Sequence, residues 1–223
     1  MVKKAARSFS PLFAAILAVP LMAVGPKAGQ FPDPAQDVPA RSLRGSATAV
    51  LAGGCFWGVE AIFERLRGVL DVVSGFAGGS KYSAHYEIVS MGGTGHAESV
   101  EITYDPSQIT YGKLLKVFFS VVHDPTQLNR QGPDEGTEYR SSIFYANEDQ
   151  KQVALAYIQQ LRTANVFERP IVTTVVPLEG FYAAEDVHQH FLDRNRTLLY
   201  IVVNDLPKLK RLQEEFPALV RRD

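Results

Sequence analysis

The sequence holds one cysteine, Cys55, in the run Gly53-Gly54-Cys55-Phe56-Trp57-Gly58. Ala47 to Leu51 is a short apolar run before the glycines and reads as a strand. After the cysteine, Phe56, Val59, Ile62, Phe63 and Leu66 recur at spacings of three and four, the period of a helix. A thiol at such a strand-to-helix turn faces free backbone N–H groups and the positive end of the helix dipole. Both stabilise a thiolate, so the position predicts a lowered pKa and a usable nucleophile. Position alone leaves open the commoner fate of a free cysteine, burial as a small hydrophobe.

A second group of reactive types is Gly92-Gly93-Thr94-Gly95-His96-Ala97-Glu98. Glu98 opens a predicted strand that continues into apolar positions, so its carboxyl is expected to be partly buried. Burial raises the pKa of an acid and leaves it able to donate a proton near neutrality. A solvated glutamate at a strand edge is the competing reading. A third group runs from His123-Asp124-Pro125-Thr126 to Thr137-Glu138-Tyr139-Arg140-Ser141, a long polar stretch between a helix and a strand. Long ordered loops are usually functional. Tyr139 at its end is placed to donate a hydrogen bond, or to serve structure alone. The sequence predicts no metal centre, since His188 and His190 are two residues apart and no paired Cys or His-x-x-x-His spacing occurs. Glycines 92, 93 and 95 lack the ending of a phosphate loop and precede a strand.

The elements that must hold these groups follow from periodicity. Strands are predicted at 47–51, 69–76, 98–104, 141–146 and 171–178, and helices from Cys55, over 111–123, 148–164 and 205–216. The central order β-α-β-β-α-β is the split βαβ arrangement, which predicts one α+β domain with an antiparallel sheet and helices on one face. With 46% hydrophobic and 21% charged residues, the 223-residue chain has globular composition and enough length to bury a core without staples.

The first residues read differently. Lys3, Lys4 and Arg7 precede an uncharged run from Leu12 to Val24, short for a membrane span and suited to an export signal. The sequence therefore predicts a signal segment at 1–28, a flexible tether at 29–45 marked by Pro32, Pro34 and Pro39, and a catalytic domain at 46–223. A periplasmic location is expected, or an N-terminal membrane anchor if the segment is retained. An idle thiol in an oxidising compartment is a liability, which favours a working role for Cys55. Removing residues 1–28 takes away four positive charges and moves the formal charge from −1 to −5. An acidic protein without a basic run argues against nucleic acid as a partner.

Gly54-Cys55-Phe56-Trp57-Gly58, Gly95-His96-Ala97-Glu98, His123-Asp124-Pro125-Thr126, Gly136-Thr137-Glu138-Tyr139-Arg140-Ser141 and Ala184-Glu185-Asp186-Val187-His188-Gln189 together resemble, in that order, peptide methionine sulfoxide reductase of the A type. The likeness runs from about Ala47 to Phe216. It implies a two-layer α+β sandwich with a ferredoxin-like core. It also implies that Cys55 attacks the sulfoxide sulfur and that Glu98 protonates the oxygen. Tyr86 and Tyr139 match two tyrosines that hydrogen-bond that oxygen. Tyr82 competes for the first place, but Tyr86 has the family spacing from Glu98. Phe56 and Trp57 match an aromatic pocket for the substrate methyl group, and Asp134 a supporting acid.

The resemblance further implies repair of oxidised proteins and peptides, selectivity for the S epimer, a Cys55 sulfenic acid as product, and a monomer without cofactor. Two positions depart from the family pattern. No cysteine follows Tyr200, so the sulfenic acid must be reduced by an external thiol, a thioredoxin-like protein or a small dithiol. Glu138 also stands where relatives commonly have glutamine. A thiol peroxidase or peroxide sensor, and a module that only binds oxidised methionine, are the competing functions for the same residues.

Overall fold

The computed structural model describes residues 31–39 and 45–221. The expected signal segment at 1–28 lies outside them. The strand and helix opening the domain are β1, Ala47–Gly53, and α1, Phe56–Glu64; β2, Val69–Ala77, and β3, Ala97–Tyr104, flank a loop that holds the single turn α2, Tyr86–Val89. Next comes α3, Tyr111–Val117, whose last turn widens into a π turn at Phe118–Val122. A small hairpin, β4 (Arg130–Gln131) and β5 (Asp134–Glu135), leads to β6, Ser141–Tyr145, and α4, Glu148–Thr163. The chain closes with β7 (Thr174–Pro177), β8 (Phe181–Ala183), α5 (Phe191–Arg194) and α6 (Leu206–Glu215).

The main sheet has the order β7-β6-β1-β3-β2-β8. Its centre, β6-β1-β3-β2, is antiparallel throughout, and this is the ferredoxin-like core expected from the β-α-β-β-α-β order. β7 extends it in parallel beside β6, after the crossover through α4, and β8 pairs antiparallel with β2. The first three strands and the helices α1, α3 and α4 match expectation to within a few residues. The predicted strand at 171–178 is shorter, because Val172 N–H donates to the Pro125 carbonyl instead of joining the ladder.

Alternation along β1 sends Ala49 and Leu51 into a core shared with Phe56, Ile62, Phe63, Leu115, Phe118, Tyr157 and Leu161 of the helices. Val50 and Ala52 point the other way, into a small cluster with Ala77, Ala97 and Phe144 that Val176, Leu178 and Phe181 cover. The helices therefore lie on one face, as a two-layer fold requires.

Residues 31–39 differ from the expected tether. Phe31 is buried and meets Phe167 edge-on at 5.6 Å. Asp33 pairs with Lys113 at 2.7 Å and Lys116 at 3.0 Å, and Asp37 accepts from Gly112 N–H at 2.9 Å. The Tyr157 hydroxyl donates to the Pro32 carbonyl. The prolines here hold an extended strap against α3 and α4 and do not act as a spacer. Among the described residues no helix is long and apolar enough to cross a membrane.

Candidate active site

Cys55 is the N-cap of α1, between the end of β1 and the first helical turn. Gly54 has φ +94, a conformation that side-chain-bearing residues avoid, and a Cβ there would press on the Gln131 side chain. Behind it, a Cβ on Gly53 would crowd Phe118 and Val122 at 3.0 Å. These two glycines let β1 end tightly enough to place the thiol at the helix start.

Glu98 on β3 reaches across to the same point. It is 2% exposed, and its Oε2 accepts the Phe56 N–H at 3.0 Å, one of the amides that the first helical turn leaves free. Burial pushes the Glu98 carboxyl up to about 8, with the negative charges of Asp134 and Glu138 adding to the effect; the Phe56 amide and the Cys55 thiol pull the other way. The acid is thus protonated at neutral pH, as the sequence predicted. One oxygen accepts from the helix start, and the carboxyl also meets the Cys55 thiol.

The expected lowering of the Cys55 pKa is overturned. The thiol is 8% exposed and its pKa is raised well above the usual value, first by burial and then by the carboxylates of Glu98, Asp205 and Asp134. The Trp57 backbone N–H does favour the thiolate, in the sense the helix start predicts, but desolvation outweighs it. Because Glu98 is neutral below about pH 8, its repulsion is absent while the acid holds its proton.

The tyrosines gather around this pair. Tyr86 starts α2, stacks on His188 with ring centroids 4.0 Å apart, and lies 6.2 Å from Phe56. Tyr82 is 91% exposed, whereas Tyr86 packs against Phe56 and His188. Tyr139 ends a 3-10 turn at Thr137–Tyr139. Burial and the nearby charges of Glu98 and Cys55 raise the pKa values of both Tyr86 and Tyr139, so both hydroxyls remain donors. Arg140 fixes Tyr139 relative to β3 by donating to the Gly95 and His96 carbonyls at 2.8 Å. Glu138 is buried and folds back towards Gly136, where its charge helps hold Glu98 protonated.

The two aromatic residues after Cys55 play different parts. Phe56 has no exposed surface and packs beneath Tyr86, Phe76 and His188, so it props the site and does not line an open pocket. Trp57 is only partly buried and stacks on Phe191 at 3.8 Å, with Tyr200 edge-on at 6.1 Å. Asp134, in β5, accepts from the Tyr200 hydroxyl at 2.5 Å.

The sequence assigns Tyr200, Phe191 and Asp205 no role and His188 only a place in the Ala184–Gln189 motif, yet all four reach the site. Asp205 is fully buried, pairs with Lys208 at 3.3 Å, and occupies the space above Gly58, where a Cβ would collide with its carboxylate. The Ala184–Gln189 motif supplies the connection. Glu185 accepts from Tyr86 N–H, His188 stacks on Tyr86, and Gln189 exchanges hydrogen bonds with both backbone groups of Ser74 on β2.

The His123 motif is a buttress. Desolvation drives the His123 pKa down to about 3, so the ring is neutral. Nδ1 faces the Phe118 carbonyl and must donate; Nε2 then accepts from the Ser141 hydroxyl at 2.6 Å, and Thr173 donates to Ser141. This buried chain of donors ties the π turn after α3 to β6, behind the glycines that position Cys55.

The family model described as peptide methionine sulfoxide reductase matches residues 47–219. The chain belongs to that family, in its A type. It is 59% identical over 179 residues to peptide methionine sulfoxide reductase MsrA 2 of Mesorhizobium japonicum, covering 80% of this chain and 92% of the relative. To the MsrA 2 of Synechocystis it is 51% identical over 202 residues, covering 90% and 94%. Among solved structures, the methionine sulfoxide reductase A of Corynebacterium diphtheriae superposes with a TM-score of 0.60 at 36% identity, covering 74% of this chain and 82% of that one. Reduced Mxr1 from Saccharomyces cerevisiae gives 0.63 at 33%, covering 69% and 87%. The family assignment makes the chain an oxidoreductase.

Proposed function

We propose that this enzyme reduces the S epimer of methionine sulfoxide in proteins and peptides, with Cys55 as nucleophile and Glu98 as proton donor. One observation carries the reading: a buried, protonated carboxyl lies beside the chain's single thiol at the start of α1. A sulfoxide is a poor electrophile until its oxygen is protonated or strongly hydrogen-bonded. Glu98 supplies the proton, and the Tyr86 and Tyr139 hydroxyls stabilise the charge that develops on oxygen. Trp57 offers the apolar wall for the methyl group, and Asp134, held by Tyr200, keeps its charge turned to the site.

Cys55 sulfur forms its bond to the sulfoxide sulfur as the oxygen takes up the Glu98 proton. The substrate's S–O bond and the new S–S bond then break as the oxygen, with its proton, passes to the Cys55 sulfur; methionine departs with a pair of electrons more than the sulfoxide had, Cys55 is left as sulfenic acid, and the thiol proton restores Glu98. The high pKa of the resting thiol fits this sequence, because the proton it loses is the one Glu98 needs back. Two equivalents of an external thiol then return the sulfenic acid to thiol and release water. We assign that role to a thioredoxin-like protein or a small dithiol, since the sequence holds no second cysteine. We also assign residues 1–28 to export towards the periplasm, with the domain acting as a monomer.

The test is turnover of a peptide carrying one separated sulfoxide epimer, with dithiothreitol as reductant. The parent chain is expected to consume the S epimer and leave the R epimer, and Cys55→Ser to consume neither. Absence of turnover in the parent under reducing conditions would overturn the proposal.

A further inference from the structure

The turn that follows α2 holds the one methionine of the domain. Of three methionines in the sequence, Met1 and Met22 fall in the expected signal segment, which leaves Met91. Its side chain is 78% exposed. Single exposed apolar residues are ordinary on a protein surface. Met91 differs from the others because its oxidised form is the class of substrate assigned to this chain.

Its surroundings place it at the edge of the site. Met91 N–H donates to the Ile88 carbonyl at 3.3 Å, and Gly92 N–H to the Val89 carbonyl at 2.9 Å. Ser90 Oγ donates to the carbonyl of Tyr86, the first residue of α2, at 2.5 Å. On the other side, a Cβ on Gly92 would stand 3.7 Å from Glu138 Oε2. Within one chain, however, the Met91 side chain is turned to solvent while Cys55 is buried. Its flanks suit entry into the site of another copy. A thiol at that depth is reached only by a substrate side chain that projects clear of its own backbone. Ser90 is small, Gly92 and Gly93 carry no side chain, and the space a Cβ on Gly93 would occupy has nothing within 4 Å.

We propose that Met91 is a site of reversible oxidation whose sulfoxide is reduced by a second copy of this chain, an inference that rests on the roles given above to Cys55 and Glu98. Hydrogen peroxide supplies the oxygen: its O–O bond breaks, one oxygen joins the Met91 sulfur, and the other leaves as water, so the thioether is oxidised and the peroxide reduced. In the second copy, the Cys55 sulfur bonds to the Met91 sulfur as Glu98 protonates the sulfoxide oxygen. The S–O and S–S bonds then break as the oxygen passes to Cys55. Met91 is again a thioether, Cys55 is a sulfenic acid, and the thiol proton has restored Glu98. An external dithiol returns Cys55 to thiol, releasing water and its own disulfide. The domain thereby carries on its rim a substrate for its own kind.

Full-length Cys55→Ser, which has no thiol of its own, is treated with dilute hydrogen peroxide and then freed of it. Peptide mass should locate one added oxygen on Met91. The oxidised chain is next mixed with dithiothreitol, a catalytic amount of the parent chain and a short S-sulfoxide peptide as internal control. Peroxide yields both sulfoxide epimers, so the parent should clear the oxygen from about half of the Met91 sites, and dithiothreitol alone from none. Parent chain oxidised at Met91 should likewise recover in dithiothreitol, at a rate that falls on dilution. Three results would overturn the proposal: Met91 left unoxidised while a free methionine peptide in the same peroxide is oxidised, Met91 sulfoxide persisting while the control peptide is consumed, or recovery of the parent at a rate independent of its concentration. Persistence of the control peptide as well would overturn the assigned chemistry of Cys55, and this inference with it.

Discussion

Glu98→Gln should make the protein more stable at pH 7 while disabling its chemistry. Burial lifts the Glu98 pKa from 4.5 to about 8. A raised pKa means that the folded chain holds this proton more tightly than the unfolded chain does. The associated stability is complete below pH 4.5 and is lost as pH rises towards 8. Between pH 4.5 and 7, at about 1.4 kcal/mol per pH unit, the parent gives up on the order of 3 kcal/mol. Glutamine keeps an oxygen to accept the Phe56 N–H and never ionises. The stability gap between variant and parent should therefore grow from near zero at pH 4.5 to on the order of 3 kcal/mol at pH 7. Glu60, pushed up to about 7, titrates in the same window but is common to both chains and cancels in the difference. Urea denaturation of the two chains at a series of pH values measures the gap, and turnover in the same buffers should fall by about 10²–10⁴-fold in the variant. A gap of constant size across this range would refute the argument, since it would show that Glu98 does not change protonation there.

Three further outcomes follow from the same geometry. Alkylation of Cys55 by iodoacetamide should be slow at pH 7 and climb steeply only beyond the ordinary thiol range, and a thiolate fully formed at pH 6 would contradict the desolvation reading. Tyr200→Phe removes the hydroxyl that holds Asp134 and should lower kcat/KM by roughly tenfold, the worth of one hydrogen bond to a charged group, with little change in urea midpoint. Gly58→Ala drives a methyl group into the Asp205 carboxylate and should destabilise the fold by about 1–3 kcal/mol; unchanged thermal stability would show that Asp205 moves freely.

Much of the fold could be read in the sequence because its central elements carry strong local patterns. The 3-4 spacing after Cys55 and the alternation from Glu98 to Tyr104 set α1 and β3, and with them the meeting of thiol and acid. The apolar residues after Glu98 allowed its burial without excluding a solvated carboxyl; the packed sheet buries it. Other features depended on contacts between distant segments. The sign of the Cys55 shift is decided by burial and by Asp134 and Asp205, about 80 and 150 residues further along the chain, which no helix-start argument contains. Tyr200, Phe191 and His188 lie on irregular segments whose packing is fixed by Gln189 on Ser74 and by the rings themselves. The 31–39 segment looked like a tether because prolines suppress periodicity, yet Asp33 and Asp37 anchor it by charge and by capping contacts that hydropathy does not register. Phe56 matched a pocket position in its motif, while its depth beneath Tyr86 is a property of the packed sheet.

The central claim is that one thiol, assisted by one buried acid, takes the oxygen from the substrate. It is tested most directly by a single turnover without reductant. An excess of S-sulfoxide peptide is mixed with reduced protein, the methionine formed is counted, and Cys55 is read by peptide mass. The account predicts one methionine per chain, one oxygen gained on Cys55, and no product from the R epimer. Methionine formed while Cys55 remains an unmodified thiol, or formed equally by Cys55→Ser, would contradict it.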